Sequence, residues 1–530
     1  MSDFRLSRRR FVGTALASTL LADARIQTSA AQDQDGDQYQ LYWGDLHNHN
    51  AVGLAKGSLQ RSIELAQGHL DFFAFTGHAY WHDMPKLPGT GNKMFLDGFQ
   101  RHREHWPKTR QMIRDANADD FVALLGYEWH SSQFGDYCMI FPEDQPELFL
   151  PDHVEKLLDF AETKRALAIP HHVGYKQGWR GANFQHYRPS TSPVVEVFSE
   201  HGCTMSEHAP LPMIRHSMGG RSTANMIQRQ LKKGLRFGFV ASTDTHRGYP
   251  GAYGEGIVGV WARDLTAASL IEAIRARRTY AVNGDRIVLD VAVNGHPMGS
   301  EIPATADRQI DVRVEGQDAI EKIELVRNGQ VIDRYHPEDH VAGPPRLPGR
   351  VKCRIQYGWG PWAQFKLGRI CLWDATISIA GGRFLHALPC FQVAPFDENL
   401  RDKLTIVSES EIRVQSNTSR VNAYGEDPTK AVVCTLEGGP EAEITVQLKK
   451  PTEQVVRAKL KHLLHDNVVT FTGPFTSESY IVHRLVTPAE YAATFRWHDR
   501  RPATAKPDWY YVRVTQFNGQ YAWSSPIWVG

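Results

Sequence analysis

Apolar residues along the first half of the chain come in two alternating rhythms. Short runs at 41–46, 70–76, 121–126, 136–141, 166–169, 194–198 and 235–242 are apolar almost throughout, as strands buried on both faces are. Between them lie stretches with helical spacing: 58–68, opened by Ser58 and closed by Gly68; 95–116, with Pro107 inside; 153–164; and 223–233. Pro107 predicts a kink or a break in its helix. A further unit, with strand 256–261, helix 265–277 and a strand near Tyr280, completes the series. Strands alternating with helices predict a parallel α/β sheet. Polar residues at one strand end after another predict that the sheet closes into a β/α barrel with its chemistry at the carboxyl ends.

From residue 286 the pattern changes. Runs at 287–293, 310–314, 320–327 and 351–355 alternate or are β-branched, separated by turn signals such as Asn294-Gly295 and Asn328-Gly329. The runs 509–515 and 521–529 face each other across Asn518-Gly519 and predict a hairpin. Residues 286–530 therefore read as one or two antiparallel β-sandwich units, with 337–348, rich in Pro and Gly, as an exposed loop. Ahead of everything stands Ser7-Arg8-Arg9-Arg10-Phe11, then a mildly apolar stretch and Ser29-Ala30-Ala31. This resembles a twin-arginine export signal, residues 1–31, cut after Ala31. The predicted layout is thus a leader, a barrel over 40–285 and a sandwich region over 286–530, with the mature protein periplasmic or secreted.

The strand ends carry the chemistry. The first run, Leu41-Tyr42-Trp43-Gly44-Asp45-Leu46-His47-Asn48-His49, ends in two histidines one residue apart, which share a face on an extended strand. Later runs deliver His78, Glu128 with His130, Asp136, His171-His172, Glu200-His201 and Asp244-Thr245-His246-Arg247. The candidate ligands are His47, His49, His78, Glu128, Asp136, His171, His201, Asp244 and His246. Imidazole nitrogen mixed with carboxylate oxygen suits zinc, manganese or iron, and such a cluster is hydrolytic in character because a bound ion lowers the pKa of water towards about 7. Either His171 or His172 supplies the ligand on its strand. His201 is a further ligand or a proton donor near the leaving group, with His246 a second candidate for that role. Asp45 and His130 fit the part of partners that orient ring nitrogens. Arg247, Lys56, Lys176 and Arg180 stand in loops on the same rim, where they can meet an anionic substrate.

Composition narrows the field. A net charge of +1 with no basic run gives no nucleic-acid surface, and no stretch after the leader is long and apolar enough to span a bilayer. Six cysteines without a close pair exclude a zinc knuckle. Of the 24 histidines 16 precede residue 287, which places the chemistry in the first half.

His47-x-His49 after a buried strand, Thr-x-His at 76–78, Gly-Tyr-Glu at 126–128, the strand-end His171 and Asp244-x-His246, in this order, resemble the PHP (polymerase and histidinol phosphatase) superfamily. The likeness is closest to its large exported branch with a C-terminal sandwich. It implies a distorted seven-stranded β/α barrel holding up to three divalent ions. His47, His49, Glu128 and Asp244 would hold the first, Glu128 and His171 the second, and His78 and His246 would belong to a third. Three departures stand out: Gly77 where the family has Asp, Asp136 where a histidine is usual, and no ligand in 50–55. They favour two ions over three.

These readings imply an exported metal-dependent hydrolase, a phosphoesterase first, acting on a small-molecule or polymer-derived anionic substrate. Hydrolysis of a carboxylic ester, amide or lactone is the alternative within enzymes, and a non-catalytic, metal-stabilised binding protein the alternative outside them. In the sandwich, Trp359, Trp362 and Trp373 are either core or a sugar platform.

Overall fold

The computed structural model describes residues 38–213, 220–341, 343, 346–360, 367–421 and 427–530. The leader at 1–31, Trp362 and part of the loop 337–348 lie outside the described residues.

The first half folds as β1 (Gln40–Asp45), α1 (Leu59–His69), β2 (Phe72–Phe75), β3 (His78–Trp81), α2 (Gly91–Ala116), β4 (Val122–His130), β5 (Tyr137–Phe141), α3 (Val154–Thr163), β6 (Leu167–Pro170), β7 (Val194–Ser199), β8 (Gly202–Cys203), α4 (Ile227–Lys232), β9 (Gly238–Ala241), β10 (Ile257–Ala262), α5 (Ala267–Arg275) and β11 (Thr279–Val282). The predicted elements are present with local differences. Ser58 caps α1, its Oγ accepting from the Arg61 amide at 3.1 Å. Helix α2 runs unbroken through Pro107, held by a buried stripe of Phe99, His102, Trp106 and Ile113 on both sides of it. The helix expected over 223–233 is a 3-10 turn at Thr223–Asn225 and the short α4, with Met226 extended between them.

The closed parallel barrel is not what forms. Strands β11-β10-β1-β2-β4-β5-β6 make one continuous sheet in that order, and β8-β7-β9 make a separate one. Pairs β1/β2, β2/β4 and β7/β9 are parallel, whereas β10/β1, β11/β10, β4/β5 and β5/β6 are antiparallel. The link between β4 and β5, residues 131–136, is shorter than the dozen or so residues a parallel crossover needs, so β5 returns antiparallel. Side-chain hydroxyls occupy the edges where ladders would close the ring. Ser192 Oγ donates to Ala168 O at 2.6 Å, Thr279 Oγ1 to Phe239 O at 2.9 Å, and Ser525 Oγ accepts from the Phe239 amide at 2.8 Å. At the mouth the two sheets are laced together: the Asp244 amide donates to His47 O at 2.7 Å and the His49 amide to Thr245 O at 2.9 Å.

The second half is antiparallel and sheet-rich. Strands Asp508–Gln516, Tyr521–Ser524 and Ile320–Arg327 extend the first sheet beyond β11, and the apolar face they build shares one core with the four-stranded sheet of Val288–Val293, His296–Pro297, Arg308–Glu315 and Ala492–Asp499. Burial alternates residue by residue along Arg308–Glu315, as on a strand with one face inside. Asn294 and Gly295 both take positive φ, 50° and 80°, at the tight turn the sequence predicts. An eight-stranded sheet containing Gly349–Trp359, Ile370–Cys390 and Lys430–Lys450 has its own core, which includes Trp373; Trp359 is partly exposed. All six cysteines are free and buried.

Candidate metal centre

The centre begins at the end of β1. Asp45 accepts four hydrogen bonds, from Thr243 Oγ1 at 2.6 Å and from the amides of His47, Thr243 and Gly251 at 3.0–3.1 Å. It thereby fixes the β1 end against the loop after β9 and is turned away from the cluster. Burial pushes its carboxyl up to about 6, the hydrogen bonds pulling the other way.

Three faces of donor atoms follow. On the first, His47 Nε2 lies 3.1 Å from His49 Nε2 and 3.3 Å from Asp244 Oδ1, and His49 Nε2 lies 2.9 Å from the same oxygen. Asp244 reaches inwards from a left-handed conformation, φ 53°. On the second, Glu128 Oε2 meets His78 Nδ1 at 2.5 Å and His49 Nε2 at 3.5 Å, while His78 Nε2 lies 3.0 Å from His246 Nε2. On the third, Glu128 Oε1 meets His171 Nε2 at 2.8 Å, with Asp136 and His172 beside it. His201 Nε2 lies 2.8 Å from the second oxygen of Asp244. Every ligand expected from the sequence is therefore in one cluster.

Several members of the cluster were not expected. Glu196, in the middle of β7, takes His47 Nδ1 at 3.3 Å and the His172 amide at 3.2 Å. Glu200 takes His246 Nδ1 at 2.9 Å, Tyr175 OH lies 3.0 Å from His201 Nδ1, and Cys138 Sγ lies 3.6 Å from His171 Nδ1. Each outer partner faces Nδ1 and turns Nε2 inwards, which sets the tautomer. Arg180 is not a rim cation but is buried against Asp136 and His130. Arg247, Lys56 and Lys176 are exposed, Lys56 lying over the Phe396 ring. Gly77 is a glycine for a reason of space: a Cβ there would lie 2.7 Å from the buried ring of Phe75.

Electrostatics favour a cation at the centre. Glu128, Asp136, Asp244 and Glu196 are buried, with Arg180 the one buried arginine among them. Burial raises the carboxyl pKa of Glu128 and Asp244, but facing histidines outweigh it and hold both well below the usual carboxylate range. Burial, with His246 and His47 adding to it, pushes His49 down to about 3, which favours the neutral ring. Ring nitrogens face one another at 3.0 Å between His78 and His246 and at 3.1 Å between His47 and His49, the latter pair with Asp244 Oδ1 on the same two atoms. Spacings of 2.9–3.3 Å are those of ligand atoms on one face of an ion bound at about 2.0–2.1 Å. The donor set fits a divalent cation.

No family model matches the chain. It is 26% identical over 336 residues to a protein of uncharacterised function from Chlamydia trachomatis, covering 56% of this chain and 49% of that protein, and equally similar to a Chlamydia muridarum counterpart. A Chlamydia pneumoniae protein is 26% identical over 260 residues. The chain thus spans about half the length of the curated relatives it matches. Among solved structures it is similar to a two-domain protein from Bacteroides vulgatus described as containing a predicted PHP-like metal-dependent phosphoesterase, at 11% identity and a TM-score of 0.34, covering 79% of this chain and 95% of that one.

Proposed function

We propose that the chain is a metal-dependent hydrolase, and a phosphoesterase first. The observation that carries this is the convergence of His47, His49, His78, Glu128, His171, Asp244 and His246, brought from five segments onto three touching donor faces. Two divalent ions, of zinc, manganese or iron, would supply Lewis acidity and lower the pKa of water there. The first would be held by His47, His49 and Asp244, the other by Glu128 and by His78 through Nδ1, with His246 facing the opposite nitrogen of that ring.

The chain's own groups do the rest. The side chain of His246 is 39% exposed and that of Glu200 32%, so the centre opens to solvent on their side. His201 bonds Asp244 through Nε2 and the Tyr175 hydroxyl through Nδ1, and holds a proton where a leaving group would depart. Arg247, exposed beside His246, attracts an anionic substrate to the mouth. Export rests on Arg8-Arg9-Arg10-Phe11 in the leader, with the mature protein beyond the inner membrane.

One observation favours a second reading. Arg180 is committed to Asp136, which leaves a wall with few free cations for a phosphoryl group; hydrolysis of a carboxylic ester, amide or lactone asks for fewer. A panel of aryl phosphates, phosphodiesters and carboxylic esters, run with zinc or manganese on wild type and Asp244→Asn, decides between them. Phosphoester turnover lost in the variant, with its circular dichroism unchanged, supports the first reading. Turnover of carboxylic esters alone supports the second, and no turnover of any of them overturns both.

A further inference from the structure

Arg180 is the unexpected charge at this centre. It sits in a left-handed conformation, φ 67°, on the loop after β6, its amide donating to Ser132 O at 3.1 Å. That contact ties it to the β4–β5 link, which Asp83 fixes by accepting from Ser131 Oγ and from the amides of Ser132 and Gln133 at 2.8–2.9 Å. The guanidinium packs on the Trp81 ring, 5.0 Å from its centroid. It is thus held from both ends rather than free to swing towards solvent.

Its polar contacts are to candidate ligands. Nε donates to Asp136 Oδ2 at 2.6 Å, and Nη2 contacts the same oxygen. Asp136 Oδ1 is already taken by the Ser131 amide at 3.0 Å, so both oxygens of this carboxylate are engaged. Nη2 also lies 2.8 Å from His130 Nδ1 and 3.7 Å from Glu128 Oε1. His130 Nδ1 also lies 3.1 Å from Asp136 Oδ2 and 3.1 Å from Glu128 Oε1, so this ring nitrogen sits among the guanidinium and both carboxylates.

We propose that the Arg180 guanidinium is the resident cation of the Asp136 corner, taking the place that a divalent ion would hold among Glu128, Asp136, His171 and His172. An arginine is permanently charged and strongly hydrogen-bonding, and here it balances the Asp136 carboxylate from a buried position. Asp136 is accordingly the partner of Arg180 and not a metal ligand, and the centre holds two ions where its carboxylates and histidines would otherwise take three.

The inference rests on the metal-dependent reading above and is tested by stoichiometry rather than turnover. The full chain, stripped of metal, is dialysed to equilibrium against zinc or manganese, and bound ions are counted by elemental analysis. Wild type is expected to hold two ions per chain, Arg180→Gln three, and Asp136→Asn still two, each with circular dichroism unchanged. Three ions in wild type, or two in a folded Arg180→Gln, overturns the role of Arg180 and leaves the metal reading standing. Loss of an ion in Asp136→Asn makes Asp136 a ligand and also overturns it, without needing the arginine variant to fold. No bound ion in wild type overturns both.

Discussion

Glu196 holds His47 from behind. Its Oε2 lies 3.3 Å from His47 Nδ1, and the opposite ring nitrogen of His47 faces His49 and Asp244 at 3.1 and 3.3 Å. Burial alone would depress the imidazole pKa, but Asp244, Cys138 and Glu196 overcome it and raise it well above the ordinary histidine value. Partners of this kind fix ligand orientation and basicity, and removing one typically costs 10–100-fold in metal affinity. Glu196→Ala is expected to weaken zinc or manganese binding by about that factor with the fold retained, as read by competition with a chelator. Unchanged affinity would show that His47 needs no support.

Metal removal should be felt by the whole first half. Four buried carboxylates converge there, and an ion that binds the native state alone adds about 2.7 kcal/mol at a concentration of one hundred times its Kd. Chelator-treated protein is expected to melt at a lower temperature than the untreated chain, with recovery on adding back zinc or manganese. Identical melting curves with and without chelator would speak against bound metal in the folded protein.

Gly77 answers to packing as well as to chemistry. An added Cβ would lie 2.7 Å from Phe75 Cζ and 3.3 Å from His102 Nδ1, and both neighbours are fully buried. Overfilling such a site costs about 1–3 kcal/mol. Gly77→Ala and Gly77→Asp are both expected to lower the urea midpoint, with Asp adding no bound ion. A stable Asp variant with an extra ion would mean that the site has room for a further carboxylate.

The ligands legible in the sequence were those placed directly after an apolar run. His47, His49, His171 and Asp244 follow a buried strand, where the change from apolar to polar marks the mouth. Glu196 sits inside an apolar run, between Val195 and Val197, and nothing in period or composition separates it from an ordinary outward-facing residue. Arg180 stands in an aperiodic loop beside the exposed Trp179, so it read as a surface cation. Strand direction was hidden for a different reason. Alternating strands and helices suggest parallel pairing, but the short link before β5 and the hydroxyls of Ser192, Thr279 and Ser525 decide direction and closure. Neither feature has a hydrophobic signature.

Asp285 binds the two halves of the chain together. Its carboxylate takes Arg354 Nη2 at 2.8 and 2.9 Å, Gln516 Nε2 at 2.8 Å, Asn518 Nδ2 at 2.7 Å and the Tyr253 hydroxyl at 3.1 Å. Burial works to raise its pKa, yet Arg354 and the amides outweigh it and hold the carboxyl below its usual range. A carboxylate depressed in the folded state contributes stability above its unfolded pKa, about 3.9, and loses that contribution as the pH falls through the lower folded value. Asp285→Asn leaves Arg354 buried without its counter-ion, a change that costs about 3–5 kcal/mol in comparable buried pairs. The variant is therefore expected to unfold at lower urea at pH 7, with the gap to wild type closing below about pH 4 as the wild-type carboxylate takes up its proton. A gap that stayed constant down to pH 2 would assign the loss to packing rather than to the charge of Asp285.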